Sequence, residues 1–338
     1  MSLTIKQASL IKEANIPMFF VSDGIVSAAS SKAELYGIMP GQPVMPLLCN
    51  YEKEYADLTC GKLYCKLKIN GNRYNAAISY FEGTQLFVID TQYLNPVISS
   101  DAVYLQNIRG PLDYLFNCIN ELPDNGAKDD RAIAARKSLL QILRILDHIT
   151  QTNACTNQHH NHTKYDNIVG CIDNMIKAAQ EAAPASSLEY HSIKEEIFCK
   201  FAPRDLEVAI YNLIANAIQY GNGNVLISLK HDEQTLYISV QNTVKNQGTP
   251  AVDIHSYLAE DPNASTYDLG TGHGIQIARN IALRNNGTLH MQCINNSVTF
   301  TLSLPTDGSG DYTLHSPTDT FVEIHGGIST ADVELSMI

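Results

Sequence analysis

The chain has 338 residues, enough for two to three domains at about 150 residues each. With 44% hydrophobic and 17% charged residues, bulk disorder is excluded, and no apolar run is long enough to span a membrane. The 23 Lys and Arg against 35 Asp and Glu give a formal net charge of −12, which disfavours nonspecific binding to nucleic acid or to anionic membranes.

Residues 1–97 are predicted to form a small domain of mixed α+β type. Short apolar runs such as IPMFFVSDGIV and TQLFVID alternate with turn residues. Asp23-Gly24 and Asn70-Gly71 are typical of tight turns between antiparallel strands. The segment SSKAELYGIMPGQPVMPLL between them predicts a helical piece interrupted by Gly and Pro. Cys60 and Cys65 are interpreted as packing thiols rather than as a redox pair.

Residues 98–150 are predicted to form an antiparallel hairpin of two helices. Two apolar stripes with alternating spacings of three and four residues flank a turn at 123–126. Because one hairpin cannot bury two seams, we expect a homodimer with a four-helix bundle, while ordinary core helices are the alternative. The stripes consist of Leu105, Ile108, Leu112, Leu115, Ile119 and Leu122, and of Ala132, Ala135, Leu139, Ile142, Leu146 and Ile149.

Residues 151–164 are predicted to be a linker, because the segment QTNACTNQHHNHTK is polar and has no apolar period. Its cluster of metal-ligand residue types lacks the paired spacing of a structural zinc site, so a solvated linker is favoured over a metal centre. The cluster consists of Cys155, His159, His160 and His162. The eight Cys of the chain have no framework spacing, which is typical of reduced thiols in a cytoplasmic protein.

Residues 165–305 are predicted to form an α/β sandwich, with one layer of helices over one mostly antiparallel sheet. A helix is expected from Tyr165, then two short strands around LEYHSI and EEIFCKF, then a helix that begins at Pro203. Two pairs of alternating strands follow, separated by a Gly-rich turn and a helix that Gly287 is expected to end as a C-cap. The tail at 306–338 has no readable role.

Two motifs within this sandwich point to nucleotide chemistry. Asn212 and Asn216 lie four residues apart, so both amides belong to one face of a helix, and an amide oxygen is a hard neutral ligand suited to Mg²⁺. The segment DLGTGHGI at 268–275 has alternating glycines, which allow close approach to a phosphate, and it enters a helix whose N-terminus supplies N–H donors. A glycine turn with a purely structural role is the alternative.

These residues resemble the ATP-binding domain of sensor histidine kinases, in the superfamily shared with gyrase. NLIANAIQY is similar to the family's N box, NLxxNAxxY, and LGTGHGIQIARNIALRNNGTLHMQ to its second glycine box. The resemblance implies ATP and Mg²⁺ as cofactors, with Asn216 coordinating Mg²⁺, Asn212 supporting it and 244–268 forming the ATP lid. Hydrolysing members have Glu at the position of Asn212, which places this chain with the kinases. The implied nucleotide contacts are Tyr220 near the adenine and, around the phosphates, Gly270, Thr271, Gly272, His273 and Gly274.

Asn242 marks a departure from the family pattern. The family's first glycine box is Asp-x-Gly-x-Gly after a strand, and its Asp accepts a hydrogen bond from the adenine amino group. Here Asn242 stands where that Asp is expected and the glycines are missing. An Asn carbonyl accepts the same hydrogen bond without the charge, so we expect a weaker contact.

The hairpin departs from the pattern as well. QNIRGPL at 106–112 is similar to the family's phosphoacceptor motif His-Glu-[Ile/Leu]-Arg-x-Pro-Leu, with Gln106 in place of His and Asn107 in place of Glu. A Gln amide nitrogen has a delocalised lone pair and a neutral Asn is no general base, so autophosphorylation is expected to be absent there. His148, near the end of the second helix, is a conceivable substitute.

Residues 1–97 are similar to a PAS sensor domain in IPMFFVSDGIVSAASSKAELYG and TQLFVID, which implies a small-molecule ligand. The whole chain thus resembles a cytoplasmic, dimeric sensor histidine kinase that binds ATP and Mg²⁺ without autophosphorylation at Gln106. It is expected to act through its conformation, on a response regulator or on a partner kinase, without nucleic acid and without a membrane span. The alternatives are an active kinase that uses another His or a Ser/Thr substrate, and a scaffold that binds no nucleotide.

Overall fold

The structure is a computed structural model, and it describes six main stretches of the chain. Predictions that fall on the first hairpin helix, on the linker before Lys164, on the lid after Val244 or on the glycines before Gly274 lie outside these residues. The described stretches are 16–48, 51–89, 138–147, 164–244, 274–306 and 329–335, apart from positions 82, 145 and 295, together with residues 11, 12 and 14.

The chain divides into two compact units, which are described separately. The described part of the first unit comprises the residues up to 89 together with 282–304, and the second unit comprises the rest. The strands are β1 (Met18–Ser22), β2 (Ile25–Ala29), β3 (Lys62–Ile69), β4 (Asn72–Phe81), β5 (Thr84–Ile89), β6 (Lys164–Asn167), β7 (Ser187–His191), β8 (Phe198–Phe201), β9 (Gly221–Asp232), β10 (Thr235–Val244), β11 (Thr288–Ile294) and β12 (Ser297–Pro305). The helices are α1 (Ser31–Leu35), α2 (Glu52–Ala56), α3 (Ile168–Ala182), α4 (Pro203–Tyr220), α5 (Gly274–Arg284) and α6 (Thr330–Glu334), with a 3-10 turn at Met45–Leu47.

In the first unit the strands are antiparallel neighbours in the order β2-β1-β5-β4-β3-β11-β12. Both predicted hairpins are present, and each turns on two residues with positive φ: Asp23 at 52° and Gly24 at 74°, and Asn70 at 50° and Gly71 at 83°. Two consecutive positive φ angles fit the right-handed twist of paired strands. The sequence therefore predicted these two turns correctly.

The core of the first unit is apolar and closely packed. The rings of Phe19 on β1 and Phe87 on β5 stack with their centroids 4.6 Å apart, and both residues are fully buried. Ser30 caps α1 by accepting a hydrogen bond from the Ala33 amide at 3.1 Å. As predicted, the helical segment after β2 is short and ends before the Gly and Pro residues.

In the second unit, β10, β9 and β7 are neighbours, and α3 and α4 pack on each other, with α4 also on β9 and β10. The predicted alternation is confirmed, because the six alternating apolar positions of β9 and β10 are all buried. They are Val225, Ile227, Leu229, Leu236, Ile238 and Val240. β7 pairs with β9 in parallel, and β10 pairs with β9 antiparallel.

The structure corrects two predictions in the second unit. The helix expected from Tyr165 begins at Ile168, because Asn167 caps it and the residues before it form β6. β8 does not lie in the main sheet: it pairs with β6 in a separate two-stranded sheet, with Lys164 opposite Phe201. The single sheet predicted for 165–305 is therefore wrong for β8.

The prediction that Gly287 ends α5 as a C-cap gives the wrong reason for a glycine at this position. The left-handed residue after α5 is Asn286, with φ 56°, and the Gly287 amide donates to the Ala282 carbonyl at 2.8 Å. A Cβ at Gly287 would lie 1.9 Å from the Ser303 carbonyl oxygen. Glycine is therefore needed there for the close approach of β12 and not for a left-handed turn.

None of the helices within the described stretches is long and apolar enough to cross a membrane.

Candidate functional site

The candidate site is built on α4, a helix of 18 residues. Pro203 occupies its first turn, where the absent N–H leaves no hydrogen bond unmade. From Asp205 to Ala215 every residue is buried, so the helix lies inside the unit. The orientation of its polar side chains is therefore fixed by packing.

Asn212 has a fully buried side chain with one half of its amide satisfied. Its Nδ2 donates to the Val208 carbonyl, one turn earlier, at 2.8 Å. Its Oδ1 has no hydrogen-bond partner among the described residues. A buried polar atom without a partner costs free energy, which makes this oxygen a candidate ligand atom.

Gly274, the first residue of α5, lies directly against this amide. A Cβ at Gly274 would be 2.7 Å from Asn212 Oδ1 and 3.4 Å from Asn216 Nδ2. Asn216 is only partly buried, and its Nδ2 also has no hydrogen-bond partner within the described stretches. The structure thus brings together the two Asn residues and the last glycine of the motif at 268–275.

Asn242 lies near the C-terminal end of the same helix. It is buried on β10, opposite Val225, next to an irregularity in the pairing with β9. A Cβ at Gly221 would be 3.0 Å from Asn242 Nδ2 and 2.3 Å from the Ala217 carbonyl oxygen. Glycine directly after α4 therefore permits the chain to pass between the helix end and Asn242.

Tyr220 ends α4 and is half exposed, at 52% of its surface. Its side chain is open to solvent, and Gly221 follows it directly in the chain. The other predicted site residues, Gly270, Thr271, Gly272 and His273, lie outside the described residues, as do Gln106, Asn107 and His148. The structure therefore gives positions for Asn212, Asn216, Tyr220, Asn242 and Gly274.

A different face of α4 bears a buried tyrosine. The Tyr211 hydroxyl donates to the Met175 carbonyl of α3 at 3.1 Å. Burial raises the pKa of Tyr211, and the nearby Glu207, Cys171 and Asp332 raise it further. The phenol thus stays protonated as a donor and joins α4 to α3.

Sequence reasoning missed three buried charged residues, one on α4 and two elsewhere in the second unit. Glu207 is buried on α4, and Arg144 and Glu334 form a buried ion pair at 3.2 Å. The sequence did contain a signal for the helix that carries Glu334. Ser329 is followed three residues later by Asp332, which is the spacing of a capping box, and the structure contains this capping box. The sequence has no signal for the pairing of Arg144 with Glu334, 190 residues apart.

Residues 201–308 match the family model described as Histidine kinase-, DNA gyrase B-, and HSP90-like ATPase. Curated relatives include the signal transduction histidine-protein kinase ArlS of Staphylococcus epidermidis, 22% identical over 59% of this chain and 46% of that protein. The heme sensor protein HssS of Staphylococcus aureus is 27% identical over 59% of this chain and 44% of that protein. The matches thus span less than half the length of these curated relatives.

Solved histidine kinases are similar to the chain as well. Histidine kinase ThkA in complex with response regulator protein TrrA is 15% identical, covering 88% of this chain and 98% of that chain with a TM-score of 0.41. Full-length ShkA in complex with AMPPNP is 16% identical, covering 61% and 45% with a TM-score of 0.45. Acinetobacter baumannii AdeS is 17% identical, covering 62% and 96% with a TM-score of 0.38.

The two kinds of sequence match agree with each other and with the motifs. The family model begins at the end of β8 and covers α4, β9, β10, α5, β11 and β12, which include Asn212, Asn216 and Gly274. By name, one of these curated relatives is a signal transduction histidine-protein kinase and the other is a heme sensor protein. Residues 201–308 therefore match the histidine kinase-, DNA gyrase B- and HSP90-like ATPase family, and the chain is similar to a signal transduction histidine kinase.

Proposed function

We propose that this chain binds ATP with Mg²⁺ between α4 and the start of α5, and signals without phosphorylating itself at position 106. The single observation that supports the site is the buried Asn212 Oδ1, which has no hydrogen-bond partner among the described residues and faces Gly274. A side chain at position 274 would fill the space beside both Asn amides. The family match supports ATP as the nucleotide.

The donor set fits a magnesium ion next to phosphates. Mg²⁺ prefers oxygen ligands and is bound in proteins by few side chains, together with water and phosphate oxygens. Asn212 offers an amide oxygen that has no hydrogen-bond partner in the described stretches, and Asn216 presents Nδ2 to the same space, a donor suited to a phosphate oxygen. For Asn216 to coordinate the metal, its amide has to rotate so that Oδ1 replaces Nδ2. When bound, the metal neutralises phosphate charge.

The remaining groups position the nucleotide in this proposal. The side-chain oxygen of Asn242 accepts a hydrogen bond from the adenine amino group in place of the family's Asp, and the half-exposed Tyr220 lies beside the base. The amide groups of the segment 270–274 and the N-terminus of α5 hold the phosphates. Because Asn242 is neutral, we expect a lower affinity than a carboxylate would give.

The proposal extends to the rest of the chain. Residues 1–97 act as a PAS-like sensor for a small ligand, and 98–150 form a dimerisation hairpin with Gln106 and Asn107 in place of the family's His and Glu. The output then passes by conformation to a response regulator or a partner kinase. The similar histidine kinase ThkA has been solved in complex with a response regulator. The domain limits 1–97, 98–150, 151–164 and 165–305 and the cytoplasmic location stay predictions.

Calorimetric titration of the full chain with Mg-ATP tests the site. We expect measurable binding that falls by about tenfold or more in Asn216→Ala and in Asn212→Ala, because each loses a group directed at metal or phosphate. Asn222→Ala is the control, since Asn222 is exposed on β9. Absence of binding in the unaltered chain, or equal binding in all four proteins, would contradict the proposal and favour a scaffold without nucleotide.

A further inference from the structure

Residues 329–335 pack against three other segments of the second unit. Helix α6 contacts α4 and α3, and Val333 lies in a buried apolar cluster with Leu139, Leu140 and Leu143 of the helix at 138–147. Val333 and Leu143 are each 1% exposed. The capping box of Ser329 and Asp332 fixes the first turn of α6. This short segment therefore joins the second hairpin helix to α4.

Two buried carboxylates anchor the segment. Arg144 Nε donates to Glu334 Oε2 at 3.2 Å, with the side chains 8% and 1% exposed. Thr330 Oγ1 donates to Glu207 Oε2 of α4 at 3.1 Å, and all four residues are buried. Removing one partner of a buried ion pair leaves the other charge without compensation. The segment is therefore held by one buried polar contact to the helix at 138–147 and one to α4.

The apolar stripe of the hairpin helix explains why this segment is needed. Leu139, Leu140, Leu143 and Leu146 are buried, whereas Ile142 is 44% exposed. Leu140 and Leu143 are not part of the predicted seam, whereas Leu139 is. Val333 packs with all three, so residues 329–335 cover apolar side chains of the seam and beside it.

One rigid helix connects this contact with the candidate site. On α4, Glu207 accepts a hydrogen bond from Thr330 of α6, and Tyr211, four residues later on the same side of the helix, donates to the Met175 carbonyl of α3. Asn212 and Asn216 are also four apart and face Gly274. A shift of α4 on one face is therefore transmitted to the other, because close-packed helices move as units.

We propose that residues 329–335 form a regulatory clamp, which locks the helix at 138–147 onto α4 and whose release both frees that helix and changes nucleotide binding at Asn212 and Asn216. The second half of this statement rests on the proposed function, and the first half does not. The clamp opens when the ion pair between Arg144 and Glu334 is broken, whether by substitution or by a partner that competes for either charge.

Hydrogen exchange of the full chain without nucleotide tests the clamp. In Glu334→Arg and in Arg144→Glu, we expect the opening equilibrium of the helix at 138–147 to rise by roughly a hundredfold, because each change leaves two like charges buried together. The double variant restores the pair with reversed charges and should recover most of the protection. Glu196→Arg is the control, since Glu196 is exposed. Unchanged exchange in the single variants, or no recovery in the double variant, would overturn the clamp.

A variant that also loses protection in β9 and β10 has unfolded the unit. In that case Glu334→Gln replaces it, because the amide keeps the shape of the side chain and removes only the charge. The same variants are then titrated with Mg-ATP, and we expect at least a threefold change in affinity in the single variants, reversed in the double variant. Equal affinities would overturn the coupling to the site. No binding by the unaltered chain would contradict the proposed function, while the exchange result would still decide the clamp.

Discussion

Asn212 combines full burial with an amide oxygen that has no hydrogen-bond partner among the described residues. Its own Nδ2 bond to the Val208 carbonyl fixes the direction of the amide, so the oxygen stays directed at Gly274. The spacing of Asn212 and Asn216 predicted that they share a face, and the structure agrees. That this face meets Gly274 depends on the packing of α5 and not on any local pattern.

His290 links the stability of the chain to pH at the level of one residue. It lies on β11 opposite Leu63 of β3, and its Nε2 has no hydrogen-bond partner in the described part of the chain. Burial lowers the pKa of His290 below its usual 6.5, against the smaller opposing effects of the Cys60 backbone and of Asp57. Between the lowered pKa and 6.5, the unfolded chain thus binds more protons than the folded chain.

We therefore expect the free energy of unfolding of the chain to fall as the pH drops below 6.5, and His290→Gln to reduce this loss. Urea unfolding of both proteins at pH 7.5 and at a pH of about 5.5, followed by circular dichroism, measures it. His191→Gln is the matched control, because His191 is exposed at the end of β7 and the variant keeps His290. An equal loss in His290→Gln and in the unaltered chain would contradict this prediction.

At the scale of secondary structure, the apolar periods predicted most helices and strands. The first and last residues of these helices and strands were less predictable where a polar residue sets them. Asn167 accepts hydrogen bonds from the Val169 and Gly170 amides at 3.1 and 3.3 Å, which sets the start of α3 three residues after Tyr165. An Asn directly before an apolar run is the sequence signal for this start.

Asn167→Ala should lower the free energy of unfolding by about 1 kcal/mol, because two amides at the start of α3 lose their acceptor. Urea unfolding followed by circular dichroism measures the change. Asn222→Ala, at an exposed position of β9, should change stability by less than about 0.5 kcal/mol. If both variants had the same stability, the cap would contribute nothing and the helix start would need another explanation.

At the scale of the whole molecule, pairings between distant segments decide the architecture of each unit. β11 pairs with β3 in the first unit, with His290 opposite Leu63, although β11 belongs to the segment that matches the ATPase family. In the second unit, Arg144 meets Glu334. A strand shows its own alternation in sequence but not its neighbour, because register depends on which faces are buried together.

Phosphotransfer by the whole chain is the last prediction. Incubation with Mg²⁺ and γ-labelled ATP should leave no acid-labile, base-stable label on the protein, because the Gln106 amide nitrogen is not nucleophilic. The double variant Gln106→His with Asn107→Glu restores the two missing groups and is the positive comparison. Label on the unaltered chain that disappears in His148→Ala would show that another histidine serves as phosphoacceptor.

The sequence by itself determined the local structure. This comprises one Asp-Gly turn and one Asn-Gly turn, the alternating strands β9 and β10, and the placement of Asn212 and Asn216 on one helical face. These features depend on backbone geometry and on periods of a few residues, so a short window contains them. Only the tertiary structure decided that Gly274 contacts both Asn amides, that Gly287 is required by the Ser303 carbonyl, and that residues 329–335 cover the helix at 138–147. These contacts join residues far apart in the chain, where burial and close packing select the partner.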